Sequence, residues 1–154
     1  MMNNIYKEKQ SFWTWWLCII LFAFFGYELF GVFSAYIDSG VLSFGVGFWI
    51  MLIIIVGFVF MRLTTTIDSK GIEITFIPFA YKKRWKWTDI DQVYVRTYSL
   101  KDFGGWGYRI SSQGVAYNTR GKNGIQIILK EGTRVMIGTQ KPELLNEVIA
   151  KYKV

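Results

Sequence analysis

The chain lacks histidine and has one cysteine and two prolines among its 154 residues. Without histidine, zinc sites of the His/Cys type and Ser-His or Cys-His nucleophile systems are excluded. Cys18 has no partner for an intramolecular disulfide, so packing is its expected role. The usual nucleotide-binding loops, GxxxxGK[ST] and GxGxxG after a strand, are also missing. The sequence therefore predicts no cofactor and offers no recognisable catalytic set.

Charge is almost absent from residues 12–61, where only Glu28 and Asp38 are charged. Uncharged or nearly uncharged runs cover residues 12–36 and 41–61, which are 25 and 21 residues long. At 1.5 Å per residue, such helices reach roughly 37 and 31 Å, enough to cross a hydrocarbon core of about 30 Å. The Asp-Ser-Gly sequence between them is a short turn. The pattern predicts a membrane α-helical hairpin over residues 12–61.

Basic residues beside the two apolar runs indicate the orientation. Lys7 and Lys9 precede the first run, and Arg62 and Lys70 follow the second, whereas the turn carries Asp38. The positive-inside bias then predicts a multi-pass protein of the cytoplasmic (inner) membrane, with both termini in the cytoplasm. A cleaved signal peptide is the alternative for the first run. That run exceeds the usual apolar region of about 7–15 residues, and a second run follows at once.

Residues 1–11 are interpreted as a cytoplasmic N-terminal segment and residues 62–154 as a cytoplasmic domain. The domain has a net charge of +8, whereas residues 1–61 have −1. A cationic domain beside the inner leaflet would be attracted to anionic lipid headgroups. The alternative is that the excess charge follows the positive-inside bias and keeps the domain soluble.

Apolar and polar residues alternate along the domain with the period of half-buried strands. About seven antiparallel strands are predicted, near 63–67, 71–77, 81–87, 92–98, 107–119 (broken around 112–114), 124–130 and 133–138. Pro142 then suits the first turn of a helix, with Glu143 at its start and Lys151 towards its end. Short strands joined by tight turns and followed by one amphipathic helix predict a β-barrel or sandwich.

The order of these elements, seven strands and one helix, is that of a pleckstrin-homology (PH) type domain. Residues 85–93 resemble the W-x-D-I-x-x-V stretch that joins two strands in bacterial PH-like domains, and residues 132–145 resemble their final strand and helix entry. Residues 105–109 resemble an element of small bacterial membrane proteins with two transmembrane helices and a C-terminal PH-like domain. The resemblance covers roughly residues 63–152 and implies a fold of PH-like type and a membrane location. It implies no reaction.

The strand near residues 81–87 has a basic face. A period of two places Lys82, Arg84 and Lys86 on one side, backed by aromatic residues on the other. This row is a candidate surface for anionic lipid, because donors spaced about 7 Å apart suit a string of anions. The alternative is a solvated face whose lysines discourage edge pairing.

A glycine-rich aromatic segment follows, and its candidate interaction residues are Phe103, Trp106, Tyr108 and Arg109. An exposed aromatic tip could bind a partner or enter the bilayer interface. The alternative is that the loop folds its tryptophan back over an open end of the barrel.

Glu28 is a candidate intramembrane polar site, since an acid within a span is a functional candidate by default. The second run supplies no basic partner and no relay, so helix association is the preferred interpretation. The small-residue pairs Gly31/Ala35 and Ser43/Gly47 would assist it.

Together these features predict an integral membrane protein that presents a basic binding or scaffolding domain and is not an enzyme. Membrane lipids and a protein partner or second copy are the expected partners, and nucleic acid is not. One alternative is an accessory subunit of a transporter or secretion complex. Another is a membrane-associated enzyme, for which Asp89, Asp91 and Asp102 are available carboxylates without paired or metal-ligand spacing.

Overall fold

The computed structural model describes residues 6–99, 107–112 and 114–152. The chain divides into two compact units. A helical unit comprises residues 12–61, and a β-domain comprises the described residues before and after it. The two units are therefore nested, because the helices are inserted within the sequence of the β-domain.

Nine strands and one C-terminal helix form the described part of the β-domain. The strands are β1 (Tyr6–Ser11), β2 (Arg62–Asp68), β3 (Gly71–Ile77), β4 (Ala80–Lys86), β5 (Ile90–Thr97), β6 (Gly107–Ser111), β7 (Gly114–Asn118), β8 (Asn123–Leu129) and β9 (Arg134–Thr139). The final helix, α3, covers Pro142–Tyr152. A sheet domain closed by a C-terminal helix is thus confirmed, and the predicted break near residue 113 separates β6 from β7.

Sheet A has the order β1-β2-β3-β4 with every neighbouring pair antiparallel. Its inward face is apolar because alternate residues of β2 and β3 are large and aliphatic or aromatic. The residues of this face with no exposed surface are Leu63, Ile67, Ile72, Ile74 and Phe76.

Sheet B has the order β5-β8-β9-β7-β6. Here the expectation of a wholly antiparallel domain is wrong, because β7 and β9 run parallel, with Val115 opposite Val135 and Tyr117 opposite Ile137. The β6–β7 hairpin adds to the free side of β9, whose other side is taken by β8. Alternation along a strand marks its two faces but not its neighbour, so this pairing was not visible in the sequence.

Tyr117 of β7 is a fully buried residue of the core. Its ring centroid lies 6.4 Å from that of Phe76 and 6.1 Å from that of Trp85, so it links sheet B to sheet A. Leu145 and Ile149 are the buried residues of α3, as its apolar stripe predicted, while Leu144 is exposed. At the end of α3, the ring of Tyr152 stacks on Trp87.

The N-terminal strand β1 is the main departure from the sequence interpretation, which treated residues 1–11 as a separate segment. It pairs with β2 along its whole length, from Tyr6 opposite Ile67 to Ser11 opposite Arg62. Its inward face is polar, since Glu8 and Gln10 are buried while Lys7 and Lys9 are exposed. An apolar/polar alternation therefore could not reveal this strand.

A polar network compensates the burial of Glu8. Its Oε2 accepts hydrogen bonds from the hydroxyls of Tyr6 (2.6 Å) and Thr139 (2.7 Å). Its Oε1 accepts from the Gln10 amide (3.1 Å) and from the backbone N–H of Gln140 (2.7 Å). Burial and the hydrogen bond to Glu8 raise the pKa of Tyr6, so its hydroxyl stays protonated and donates. The carboxylate therefore joins β1 to the end of β9.

Gln10 extends the same network. Its amide donates to the Gly138 carbonyl (2.7 Å), and its carbonyl accepts from the Thr119 hydroxyl (2.8 Å). The network thus joins three residues of β1 to residues at the ends of β7 and β9, and it satisfies their buried polar atoms, as burial of such groups requires.

The helical unit contains α1 (Trp15–Ser39) and α2 (Val46–Phe60). They run antiparallel, since Phe12 contacts Phe58 while Phe25 contacts Phe48. The predicted turn after α1 is confirmed at Gly40, whose φ of 70° is favourable for glycine. Residues 41–45, predicted as helix, are not helical.

Within the described ranges, α1 alone is long and apolar enough to cross a membrane, by length and composition. The expected second span is corrected to a shorter apolar helix of 15 residues, whose length is roughly 22 Å. Serine and glycine in the Val-Leu-Ser-Phe-Gly segment before it favour irregular backbone over helix.

We expect Glu8→Ala to loosen β1, because four buried donors would lose their acceptor. An unsatisfied buried donor costs about 1–3 kcal/mol, so the free energy of opening β1 should fall by a similar amount. Hydrogen exchange of the β1 amides should become faster as a result. The matched control is Lys9→Ala on the exposed face of the same strand. Equal exchange rates in the two variants would contradict the role assigned to the carboxylate.

A second prediction concerns the nested sequence. Ser11 and Arg62 are directly paired, so an Asn-Gly turn should be able to replace residues 12–61 without disturbing β1 or β2. This shortened chain should give a cooperative thermal transition and a mainly β circular dichroism spectrum. Residues 62–154 alone should aggregate, because β2 would lose its neighbour. If both chains fold equally well, β1 is dispensable.

Candidate functional site

The basic strand β4 is less regular than its alternation predicts. Trp85 lies opposite Ile72 and Lys83 opposite Ile74, so these two side chains belong to the inward face. The register then shifts between Ile74 and Phe76, and Lys82 has a φ of 53°. A residue with positive φ leaves the extended alternation, so Lys82 belongs to the turn rather than to a straight basic row.

Arg84 is neutralised within the domain. Its guanidinium lies 2.7 Å from Glu73 Oε2 and 3.3 Å from Asp68 Oδ2. The hydrogen bond to Glu73 raises the pKa of Arg84 further above its usual value. Lys82 and Lys86 are exposed at the two ends of the strand. The structure therefore does not bring the three predicted cations together as one uncompensated row.

The predicted interaction loop is described only at its end. Phe103 and Trp106 lie outside the described residues, whereas Tyr108 and Arg109 belong to β6. Arg109 is exposed and lies opposite Ala116. Tyr108 is partly exposed and joins a cluster of aromatic rings.

This aromatic cluster joins the β3–β4 turn to sheet B. Tyr108 stacks on Phe79 of the turn, with ring centroids 6.5 Å apart and an angle of 18°, and its ring lies 5.3 Å from Tyr117. Phe79 also contacts Phe76, at 5.2 Å. Burial raises the pKa of Tyr117 to about 12, and the Lys83 ammonium donates to its hydroxyl at 3.4 Å. These rings hold Phe79 in a fixed position.

The β3–β4 turn presents apolar side chains that the sequence analysis did not select. The exposed fractions are 44% for Ile77, 49% for Phe79 and 87% for Tyr81. Turns are ordinarily polar, so the apolar Ile-Pro-Phe-Ala-Tyr sequence followed by two lysines was a signal that could have identified them.

Glu28 points towards α2. Its carboxylate is so close to Gly47 that a Cβ there would lie 2.7 Å from Oε1 and 2.9 Å from Oε2. Gly47 therefore provides the space for the acid, as expected of a small residue at a helix contact. A Cβ at Gly31 would meet nothing within 4 Å, so the structure does not use that predicted small-residue position.

Two of the three carboxylates considered for catalysis, Asp89 and Asp91, lie within the described residues. Asp89 accepts a hydrogen bond from the neighbouring Thr88 hydroxyl (2.9 Å), Asp91 lies in β5, and Asp102 is outside the described residues. Among the described residues, no three His, Cys, Asp or Glu side chains are grouped so that they could hold a metal ion.

Comparisons with protein-family models, with curated proteins and with solved structures found no significant match to this chain.

We expect Glu28 and Gly47 to be energetically coupled. Gly47→Ala should displace the carboxylate and destabilise the packed helices, and Glu28→Ala should remove most of that effect. The coupling in a double-mutant cycle should lie within about 0.5–3 kcal/mol, measured by thermal unfolding in detergent. Gly57→Ala is the matched control, since a Cβ there meets nothing within 4 Å. Coupling of the same size between Glu28 and Gly57 would refute a specific contact.

Proposed function

We propose that this protein is an integral protein of the cytoplasmic membrane that presents a non-catalytic binding or scaffolding domain of PH-like type at the cytoplasmic surface. The observation that carries the proposal is the pairing of Ser11 with Arg62. The chain leaves the sheet after Ser11, forms the two apolar helices, and returns to the sheet at Arg62.

This pairing restricts how the helices can meet a membrane. β1 and β2 belong to one sheet, so the chain must leave and return on the same side of the bilayer. If α1 crosses, then residues 41–61 must cross back. α2 is short for a core of about 30 Å, and local thinning of the bilayer can accommodate such a mismatch. The pairing thus supports two crossings even though α2 alone is short.

The connections to the helices are short. Residues 12–14 separate β1 from α1, and Met61 alone separates α2 from β2. A connection of one to three residues reaches at most about 11 Å. A domain with this attachment stays next to the bilayer, where it can bind lipid headgroups or present a surface to a protein partner.

The flanking charges support a cytoplasmic domain. Lys7, Lys9 and Arg62 lie in β1 and β2 on the domain side, whereas Asp38 lies in the last turn of α1. Under the positive-inside bias, the basic side faces the cytoplasm.

The PH-like interpretation is supported by the placement of the motif residues. Residues 85–93 form the end of β4, a short 3-10 helix at Trp87–Asp89 and the start of β5, and thus join two strands as the resemblance implies. The chain then ends on an amphipathic helix with buried Leu145 and Ile149. The β6–β7 hairpin corresponds to the expected strand at residues 107–119 with its break, and β1 is the addition to the expected seven strands.

Reporter fusions test the membrane topology. Alkaline phosphatase, which is active only outside the cytoplasm, should be inactive when fused after Val154 and active when inserted after Ser39. Insertion at Lys70, in the exposed β2–β3 turn, is the control and should be inactive. Activity at Ser39, Lys70 and Val154 together would overturn the second crossing, and inactivity at all three sites would show that neither helix crosses the membrane.

A further inference from the structure

The β3–β4 turn lies at the end of sheet A to which the helices are attached. Ile77, the last residue of β3, pairs with Arg62, and Arg62 pairs with Ser11. The three strands therefore end together, and the turn formed by Pro78 and Phe79 projects beyond that end. The opposite end of the sheet, at the β2–β3 turn, is roughly 20 Å away, the length of a seven-residue strand.

The turn is apolar on its outer surface and supported on its inner side. Phe79 is half-exposed, although Phe76 and Tyr108 pack against its ring. Ile77 and Tyr81 are exposed on either side of it. Because these ring contacts already restrict the Phe79 side chain, its burial in an apolar medium costs less conformational entropy.

The charges of sheet A are arranged along the same axis. Arg62 and Lys82 lie at the helix-attached end and are exposed. The opposite end also has exposed Lys70 and Lys86, but there the acids Asp68 and Glu73 are present and bind Arg84. An apolar tip flanked by cations fits a bilayer interface with anionic headgroups, since basic residues near such a surface are attracted to it.

We propose that the β3–β4 turn is a membrane-contact element, which inserts Phe79 into the anionic headgroup interface of the bilayer that holds α1. The inference rests on the proposed function, because it requires the domain to be attached to a membrane. It assigns the lipid contact to the turn and its flanking cations rather than to a basic row on β4. The insertion would fix the orientation of the domain on the bilayer. It would therefore determine which of its other surfaces face the cytoplasm.

The test uses the full-length protein in vesicles of phosphatidylcholine and phosphatidylglycerol. Cys18→Ser removes the single native cysteine, and single cysteines are then introduced by Phe79→Cys, Tyr81→Cys, Ser69→Cys and Phe24→Cys. Each cysteine carries an environment-sensitive nitrobenzoxadiazole label, and the quencher is a nitroxide attached to the lipid headgroup region. Position 81 keeps Phe79 intact, position 69 marks the far end of sheet A, and position 24 lies within α1.

The expected result is a several-fold greater loss of fluorescence at positions 79 and 81 than at position 69. Lys82→Glu in the Tyr81→Cys variant should reduce the quenching at position 81, because it replaces attraction to the anionic interface by repulsion. The proposal is overturned if positions 79 and 81 are quenched no more than position 69 while nitroxides deeper in the acyl chain quench position 24. The membrane location then stands, and the apolar turn belongs to a protein contact. An unquenched position 24 would reject the membrane location itself.

Discussion

The pairing of β1 with β2 is the constraint on which the organisation of this protein depends. It brings the residue before the apolar helices next to the residue after them, at Ser11 and Arg62. The helices are therefore an insertion into a sheet, and the domain has two covalent attachments at one end. Both the proposed topology and the proposed lipid contact follow from this geometry.

The electrostatic support for this arrangement lies at Glu8. Its carboxylate is buried and bound by two hydroxyls, a side-chain amide and a backbone N–H. Hydrogen bonds to a charged group are stronger than those between neutral groups, and they compensate the loss of solvent. Because Thr139 ends β9 and Gln140 directly follows it, the network fixes β1 against sheet B as well as within sheet A. An apolar residue at position 8 could fill the space but could not satisfy these donors.

The surface of sheet A separates charge and apolarity along its length. At one end, Arg84 is bound to Asp68 and Glu73, so the most regular part of the predicted basic strand is internally neutralised. At the other end, exposed apolar residues of the β3–β4 turn accompany Lys82. A bilayer interface offers an apolar and an anionic environment within a few ångströms, which matches this combination. The aromatic support behind Phe79 shows how the fold can keep such a tip exposed and rigid.

Local periodicity and turn signals were enough to predict α1, the described strands other than β1 and the final helix, but they gave the second apolar helix too long a range. Features that depend on distant partners could be found only in the folded chain. β1 was missed because its inward face is polar, and two of the four donors that make a buried Glu8 tolerable come from Thr139 and Gln140, more than a hundred residues away. Arg84 was correctly placed on a face, yet its charge is neutralised by residues on β2 and β3. The register that aligns Ile77, Arg62 and Ser11 places the apolar turn at the end of the sheet where the helices are attached. Alternation within a strand could not predict this position, because it carries no information about which residues lie opposite that strand.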